Sequence, residues 1–459
     1  MAHFLISAAH KSSGKTTLSI GLCAELRLRG LRVAPFKKGP DYIDPLWLAQ
    51  AAGNPCYNLD FYTMPRTEIE TLFRVRLQGA DIGVIEGNKG LYDGLDLDGS
   101  NSNAALAALL GAPVILVIDA QGMTRGIAPL ILGYQAFDSN IRIAGVILNK
   151  VGGARHEAKL RRVIEHYTEV PVIGAVRRTP DLEIRERHLG LMPSNESATS
   201  TERIEAIRKA VADQVTLDDL RRIAELAPPM GRGEAIPARP PRVVPDLRVG
   251  IAQDEAFGFY YAGDLEALQA AGAELVPFSP VCDPALPQVD ALFIGGGFPE
   301  VRMAQLEANS SLRREIRSFI EQGGPVYAEC GGLMYLARSL SWRGRRCEMV
   351  GVVPADAVMY ERPQGRGYVR LRETSAFPWP DGVGQEIAGH EFHYSRLEHL
   401  DPALSYAYEV RRGEGIDGRH DGIVYKNLLA SYFHMRAVGG NHWPRRFLSH
   451  VRRCRKAVE

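Results

Sequence analysis

Short runs of apolar, β-branched residues alternate with segments of helical period through the first half of the chain. HFLIS, RVAPF, IGVIE, PVILVID, IAGVILN and PVIGAV read as buried strands, with amphipathic stretches such as TTLSIGLCAELRLRG between them. This alternation predicts a mainly parallel sheet covered on both faces by helices. Residues 197–226 keep a helical pattern and are expected to close the first unit. From Ala227 to Pro245 the apolar period stops and Pro, Gly and Arg take over, which reads as a linker. A second series then begins with LRVGIAQ, ELVPFSP, ALFIGGG and GPVYAEC, and ends in a more β-rich tail containing GYVRL, AGHEFHYS and GIVYKNLLASYFH. The expected organisation is α/β throughout: a first domain at 1–226, a linker at 227–246 and a second α/β domain at 247–459.

The length of 459 residues exceeds what one ordinary core organises, in agreement with two domains. A formal net charge of +1 gives no case for nucleic acid or a membrane as the main partner. The six cysteines are scattered without a CxxC pair and read as reduced thiols of a cytosolic protein. No apolar run is long enough to span a bilayer, and MAHFLISAAH runs straight into a strand without a basic leader. The expectation is a cytoplasmic protein.

The first strand leads into Ala9-His10-Lys11-Ser12-Ser13-Gly14-Lys15-Thr16-Thr17 and then a helical segment. Backbone N–H groups at such a turn, helped by the helix dipole, cradle phosphate. Lys15 would reach the β- and γ-phosphates and the Thr16 hydroxyl would ligate Mg2+. Ala9 stands where the usual first glycine of this motif would be. Lys11 lies four residues before Lys15, one short of the spacing of a second, intermonomer lysine, and is given no such role. The strand IGVIE ends in Glu86, a hard oxygen ligand where Mg2+ beside phosphates needs one, and Asp119 ends PVILVID at the same edge.

Two loops follow strands in similar style. Lys37-Lys38-Gly39-Pro40-Asp41-Tyr42-Ile43-Asp44-Pro45 carries two cations and two carboxylates between prolines, and Gly90-Leu91-Tyr92-Asp93-Gly94 follows Glu86. Both are expected at the carboxyl ends of strands, where open α/β sheets bind ligands. Turn capping is the alternative for each aspartate. Asn149 ends IAGVILN as a nucleotide contact or as an ordinary strand-end asparagine.

In the second series, GPVYAECGGL reads as strand, sharp turn and helix, with Cys330 at the turn. Small residues after it allow a strained nucleophile turn that exposes the sulfur and aims N–H groups at an oxyanion. Gly331 would supply part of that hole, and Gly296 and Gly297 at the end of ALFIGGG the rest. His434 of SYFH offers the base that would activate the thiol. His390 and His393 of HEFH are three residues apart on a strand-like stretch, whereas a zincin helix needs four, so they read as structural or pocket-lining.

Taken together, GKTT at 14–17, KKGPDYIDP at 37–45, EGNKGLYDG at 86–94, GGGFPE at 295–300, AECGGLMYL at 328–336, GHEFHYS at 389–395 and SYFH at 431–434 resemble the cobyrinic acid a,c-diamide synthase family over nearly the whole chain. The resemblance implies an N-terminal P-loop domain like dethiobiotin synthetase joined to a class I-type glutaminase domain. It implies that Cys330 attacks glutamine and releases ammonia, with His434 as base, while the ATP domain phosphorylates a substrate carboxylate that ammonia then converts to an amide. By motif match, Lys15, Thr16 and Glu86 serve ATP and Mg2+, and Gly14, Thr17, Lys37 and the strand-end Asn149 are expected beside them as ATP-binding residues. Asp44 and Asp93 are carried over as catalytic, and Asp41 and Tyr42 as substrate-side groups. The glutamate that usually follows the base by two residues is replaced by Arg436, so a Cys–His dyad is expected and what orients His434 stays open. The implied partner is a tetrapyrrole polycarboxylate: cobyrinate, hydrogenobyrinate, nickel sirohydrochlorin and sirohaem share the necessary chemistry. An open α/β sheet of this kind often pairs as a homodimer. A P-loop regulatory ATPase with an inactive glutaminase-like module is the alternative of another class, and the intact Cys330 and His434 argue against it.

Overall fold

The apolar runs of the first half are buried on both faces, and they assemble into one parallel sheet. The computed structural model describes residues 1–179, 182, 184, 186–187, 190–196, 199–229, 243–380 and 384–458. The chain divides into two compact units, 1–239 and 240–459. The middle of the expected linker, 230–242, lies outside the described residues.

In the first unit the strands are β1 (His3–Ala8), β2 (Val33–Lys38), β3 (Tyr57–Leu59), β4 (Ile82–Glu86), β5 (Val114–Asp119), β6 (Ile143–Val151) and β7 (Val172–Arg177). They form a seven-stranded sheet in the order β3-β2-β4-β1-β5-β6-β7. Every neighbouring pair is parallel. The connections carry α1 (Lys15–Leu28), α2 (Ile43–Ala52), α3 (Arg66–Leu77), α4 (Asn103–Leu110), α5 (Ile127–Phe137) and α6 (Ala154–Tyr167). After a small ladder of β8 (Glu186–Arg187) and β9 (Gly190–Leu191), α7 (Ser200–Ala212) and α8 (Leu217–Glu225) close the unit. The helical pattern at 197–226 thus becomes two helices, with residues 197–198 outside the described set. Close packing of α7 on α1 explains Gly21, where a Cβ would stand 2.5 Å from Val211 Cγ2. The strand order matters for function because it sets the carboxyl ends of β2, β4 and β1 side by side, with Lys37 and Ile6 both in register with Glu86.

The second unit contains β10 (Leu247–Ala252), β11 (Phe257–Phe259), α9 (Ala262–Ala270), β12 (Ala273–Phe278), β13 (Ala291–Ile294), β14 (Gly296–Gly297), α10 (Met303–Ala308), α11 (Ser310–Glu321), β15 (Val326–Glu329) and α12 (Gly331–Leu336). Its β-rich remainder is β16 (Ala337–Trp342), β17 (Arg345–Glu348), β18 (Val353–Met359), β19 (Gly365–Glu373), β20 (Glu386–His393), β21 (Ser395–Glu398), β22 (Ser405–Arg412), β23 (His420–Tyr425), β24 (Leu428–Ser431) and α13 (Trp443–Val458). A nine-stranded sheet runs β12-β10-β13-β15-β24-β23-β22-β19-β20, parallel from β12 to β24 and antiparallel beyond. The order β17-β16-β18-β21 makes a second sheet, and β11 pairs with β14 alone. One core carries the buried aromatics Phe293, Tyr327, Trp443 and Phe447, and a second one the aliphatic residues behind α12. Among the described residues no helix is long and apolar enough to cross a membrane.

One buried carboxylate organises the segment after β24. Asp421, fully buried on β23, accepts N–H bonds from Gly422 at 2.7 Å, Tyr432 at 3.1 Å and Phe433 at 3.0 Å. Burial pushes its carboxyl up to about 6. Removing it leaves buried N–H groups without acceptors, at about 1–3 kcal/mol each. Asp421→Ala is therefore expected to speed amide exchange across 431–435 at least tenfold while leaving exchange in the first unit unchanged. Native-state hydrogen exchange checks this, and equal protection in the variant means that other contacts hold the segment.

Candidate functional site

Each unit builds one cluster of polar side chains at the carboxyl edge of its parallel strands. In the first, Gly14 adopts φ 91°, the left-handed conformation that turns β1 into the start of α1 at Lys15. A Cβ at Gly14 would also stand 2.1 Å from Asn149 Nδ2. That nitrogen donates to the Ser13 carbonyl at 2.8 Å, so Asn149 braces the turn from the end of β6. Thr16 and Thr17 follow in the first turn of α1, both half-buried. Lys15 Nζ donates to the Lys89 carbonyl at 2.5 Å, which joins the turn to the loop after β4. Burial and the nearby Lys37 charge lower the Lys15 pKa to about 8.

Lys37 is the centre of the cluster. It is 3% exposed, and its Nζ lies 2.5 Å from Asp44 Oδ2, 2.8 Å from Glu86 Oε1 and 3.8 Å from Asp41. Burial works against its charge, but Asp44 and Glu86 hold it as an ammonium well above the usual lysine range. Thr16 Oγ1 donates to Glu86 Oε1 at 2.7 Å and lies 3.3 Å from Asp44 Oδ2. Burial pushes the Glu86 carboxyl up, and its Oε2 is buried without a hydrogen-bond partner. Two carboxylates and a hydroxyl therefore converge beside the phosphate turn, with one oxygen unsatisfied. Among the described residues no three or more His, Cys, Asp or Glu side chains form a self-contained metal cage. The donors present suit Mg2+, which commonly takes one or two carboxylates and completes its shell with water and phosphate.

Asp41 Oδ1 accepts the Asp44 N–H at 3.1 Å, so it caps the start of α2, and Tyr42 is buried between them. Burial and the Asp44 charge push the Asp41 carboxyl up. Asn58 on β3 donates to the carbonyls of Gly39 and Asp41, both at 2.8 Å, and fixes this loop. Sequence reasoning missed Asn58 because a three-residue strand with a polar centre leaves no apolar run. Asp93 is exposed and accepts the Gly90 N–H at 2.8 Å as a turn cap does, while its charge also acts on Lys15. Asp119 pairs with Lys150 at 2.7 Å, and stands apart from the Lys37 cluster.

In the second unit β15 and β24 are parallel neighbours with Glu329 opposite Ser431. Cys330 follows the end of one strand and His434 closely follows the other. Cys330 N–H donates to the Ser431 carbonyl at 2.7 Å, which ties the two ends together. Cys330 takes φ 47° and ψ −97°, an unfavourable backbone for a residue with a side chain, and α12 begins immediately after it. The sulfur side chain is buried. Burial and the charges of Glu300 and Glu329 push its thiol up, against the Gly331 N–H bonded to it. A thiol in this setting rests protonated and needs a base.

The glycines explain how the surroundings approach so closely. A Cβ at Gly331 would stand 2.9 Å from Gly297 N, one at Gly332 2.1 Å from the Ile294 carbonyl, and one at Gly296 2.9 Å from His434 Cε1. Gly296, Gly297, Gly331 and the imidazole thus share one small region, and the β11–β14 ladder anchors the first two.

His434 is oriented by a residue that sequence reasoning missed. Its Nδ1 lies 3.1 Å from Glu329 Oε2, and the other Glu329 oxygen accepts Met435 N–H at 3.0 Å and the Tyr327 hydroxyl. The dyad expected from Arg436 is corrected to a thiol, an imidazole and a carboxylate, with the carboxylate immediately before the thiol. The signal was present: a glutamate ending the strand before the nucleophile, beside a strand ending before the base. Arg436 lies 4.7 Å over the Tyr261 ring instead. His390 stacks on His434 at 4.9 Å, and its carbonyl accepts the His434 N–H at 2.9 Å. Burial, then the His434 and Arg436 charges, keep His390 neutral, well below the usual histidine range. His393 stacks on Tyr432 at 3.8 Å, so both histidines of HEFH pack around the base segment.

A nucleotide-type phosphate turn in one unit and a thiol, imidazole and carboxylate in the other define a nucleotide-binding domain fused to a glutamine amidotransferase domain. Residues 5–191 match the CobQ/CobB/MinD/ParA nucleotide binding domain, and residues 248–441 the CobB/CobQ-like glutamine amidotransferase domain. The chain is 48% identical over 446 residues to the cobyrinate a,c-diamide synthase of Magnetococcus marinus, covering 95% of this chain and 94% of that protein. It is 42% identical over 462 residues to the one of Methanosarcina acetivorans (95% and 92% covered) and 41% over 437 residues to that of Methanothermobacter thermautotrophicus (95% and 96%). The chain belongs to the cobyrinate a,c-diamide synthase family.

Two outcomes follow from this geometry. Glu329→Gln keeps the shape but removes the charge facing His434 Nδ1, and an equivalent change in serine hydrolases costs about 10^4 in kcat. Glutamine hydrolysis should fall by roughly 10^2–10^4 while the melting temperature moves little. A variant rate near wild type would mean that the carboxylate has no part in orienting the base. For Lys15, phosphate raises a pKa that stands at about 8 in the free protein. Nucleotide binding should therefore take up a proton at about pH 8.5, where the free lysine is largely neutral, and none at about pH 6.5, with affinity falling as pH rises. Calorimetry in buffers of different ionisation enthalpy measures this, and Lys15→Arg should abolish the uptake.

Proposed function

We propose that this chain is a glutamine-hydrolysing cobyrinate a,c-diamide synthase, using ATP to convert the a and c carboxylates of cobyrinate to amides. The observation that carries the reading is an intact thiol, imidazole and carboxylate beside an oxyanion-forming glycine turn, in a chain 48% identical to such a synthase over nearly its full length. His434 takes the Cys330 proton as the sulfur attacks the side-chain carbonyl of glutamine. N–H groups of Gly297 and Gly331 stabilise the oxyanion, with Gly296 leaving room for the imidazole. His434 then returns the proton to the departing ammonia, and water hydrolyses the thioester to glutamate.

In the first unit, an oxygen of the acceptor carboxylate attacks the γ-phosphorus and ADP leaves. Ammonia adds to the resulting acyl phosphate and expels inorganic phosphate, leaving the amide. Phosphorylation is needed because a carboxylate is a poor electrophile. Gly14 and the N–H groups around Thr16 and Thr17 cradle phosphate, while Lys15 and Lys37 bring positive charge. Thr16, Glu86 and Asp44 would hold Mg2+, which neutralises phosphate charge when bound. Asp41, Tyr42 and Asn149 shape the walls of the acceptor and nucleotide sites, and Asp93 shapes the adjoining loop. A cytoplasmic homodimer belongs to the same reading.

Mass spectrometry of cobyrinate incubated with ATP, Mg2+ and glutamine should show OH replaced by NH2 at both carboxylates, with sirohaem left unchanged. Cys330→Ala should abolish this with glutamine and retain it with an ammonium salt at alkaline pH. Loss of both activities in a folded variant contradicts the division of labour, and amidation of sirohaem alone contradicts the acceptor.

A further inference from the structure

Away from the thiol, the second unit contains a cleft of about 820 Å3 with an unusual lining. Five arginines face it, Arg313, Arg314, Arg317, Arg338 and Arg346, against the two glutamates Glu307 and Glu348. Neither Cys330, His434 nor the oxyanion glycines line it. The volume lies within the range of small-molecule sites, but the charge is wrong for an apolar ligand.

The arginines come from two elements for separable reasons. On α11, Leu312, Ile316 and Ile320 face the core, which leaves Arg313, Arg314 and Arg317 together on the other side. Arg314 and Arg317 are i,i+3 neighbours and Arg313 and Arg317 are i,i+4 neighbours, spacings at which like charges repel. Arg314 and Arg317 are exposed and make no salt bridge among the described residues. Arg313 is 12% exposed and pairs with the exposed Glu348 at 3.8 Å. Its terminal nitrogens donate to the carbonyls of Met349 and Glu307, both at 2.8 Å, but its Nε is buried without a hydrogen-bond partner. Across the cleft, Arg338 and Arg346 share the single carboxylate of Asp356, at 3.3 Å and 3.0 Å. Ser310, at the N-terminus of the twelve-residue α11, adds a hydroxyl and the positive end of a helix dipole.

A buried guanidinium nitrogen without a hydrogen-bond partner, two arginines without a salt bridge and two that share one counter-ion leave this cleft short of negative charge. Guanidinium forks match carboxylate and phosphate oxygens. We propose that the cleft is a binding site for a multivalent oxyanion, a polycarboxylate or a phosphate ester, separate from both the thiol and the phosphate turn. Its floor, Met349–Gly351, is hydrogen-bonded to Tyr335 and Ala337 at the far end of α12, and to Arg338.

The test is calorimetric titration of the full chain with citrate and with tripolyphosphate, at low salt and with chloride matched for ionic strength. At least one probe should bind, its affinity should fall at least tenfold in the double variant Arg314→Gln/Arg317→Gln, and binding should persist in Lys15→Ala. Glutamine hydrolysis by the double variant without probe should stay within twofold of wild type, reporting an intact fold. Binding of citrate alone assigns the cleft to carboxylates, and of tripolyphosphate alone to phosphates. No binding of either probe, binding indifferent to the arginine substitutions, or binding lost in Lys15→Ala overturns the proposal.

Discussion

The glutaminase half of the molecule depends on one buried carboxylate at the end of a strand. Glu329 closes β15, and through its two oxygens it receives Tyr327, His434 and Met435. The parallel register of β15 with β24 is what makes this reach short, because the strand ends lie side by side and the chain leaves both at the same edge. The thiol needs this arrangement. Burial holds Cys330 in its protonated form, so its nucleophilicity depends on a base that is present in the correct tautomer. A carboxylate on Nδ1 leaves Nε2 as the proton acceptor, the logic of the hydrolase triads carried on a different sequence order.

The synthetase half solves a related problem with opposite signs. Burying a lysine is costly unless it is paired, and Lys37 is paired with Asp44 and Glu86 at once. Those same oxygens, with Thr16, are the ones a divalent cation would need. Lys37 therefore holds the acidic cluster together. The lowered pKa of Lys15 belongs to the same balance, since burial and a second ammonium nearby both disfavour its charge. A bound phosphate would relieve the repulsion that the two lysines create.

Much of this was legible along the chain. Six of the seven strands of the first sheet, and β10, β12, β13 and β15 in the parallel part of the second, were legible as apolar runs, and the turns that follow them carried Gly14, Cys330 and Gly331 where backbone geometry requires them. Asp44 and Glu86 were readable as strand-edge carboxylates, although their meeting on Lys37 depends on the strand order β2-β4-β1, which periodicity does not encode. What escaped notice were partners contributed across the fold. Asn58 lies on a strand too short to carry a pattern, and Asn149, readable as a nucleotide-site candidate, gives no sign along the chain that it braces the Gly14 turn. Glu329 was hidden by habit of spacing. The carboxylate was sought two residues after the base, whereas the sheet brings it from one residue before the nucleophile.

The position of Arg436 shows why the carboxylate cannot simply be dispensed with. His434 must carry a positive charge while it holds the thiol proton, in a pocket that is buried and close to a guanidinium. Stacking on His390 adds no second charge, because that imidazole is kept neutral by the same burial and the same neighbours. Arg436 is turned over the Tyr261 ring, where the aromatic face accommodates its charge. Asp264, buried nearby, accepts the N–H of Ala437 at 2.8 Å and the indole N–H of Trp443 at 3.1 Å, so it fixes the chain beyond Arg436. Burial pushes Asp264 up to about 7, which leaves it a weaker counter-ion than an ordinary carboxylate at neutral pH. Glu329 is then the carboxylate in direct contact with the imidazole that must become charged. An arginine in place of the usual third residue is tolerated because the negative charge has moved to the strand that carries the nucleophile.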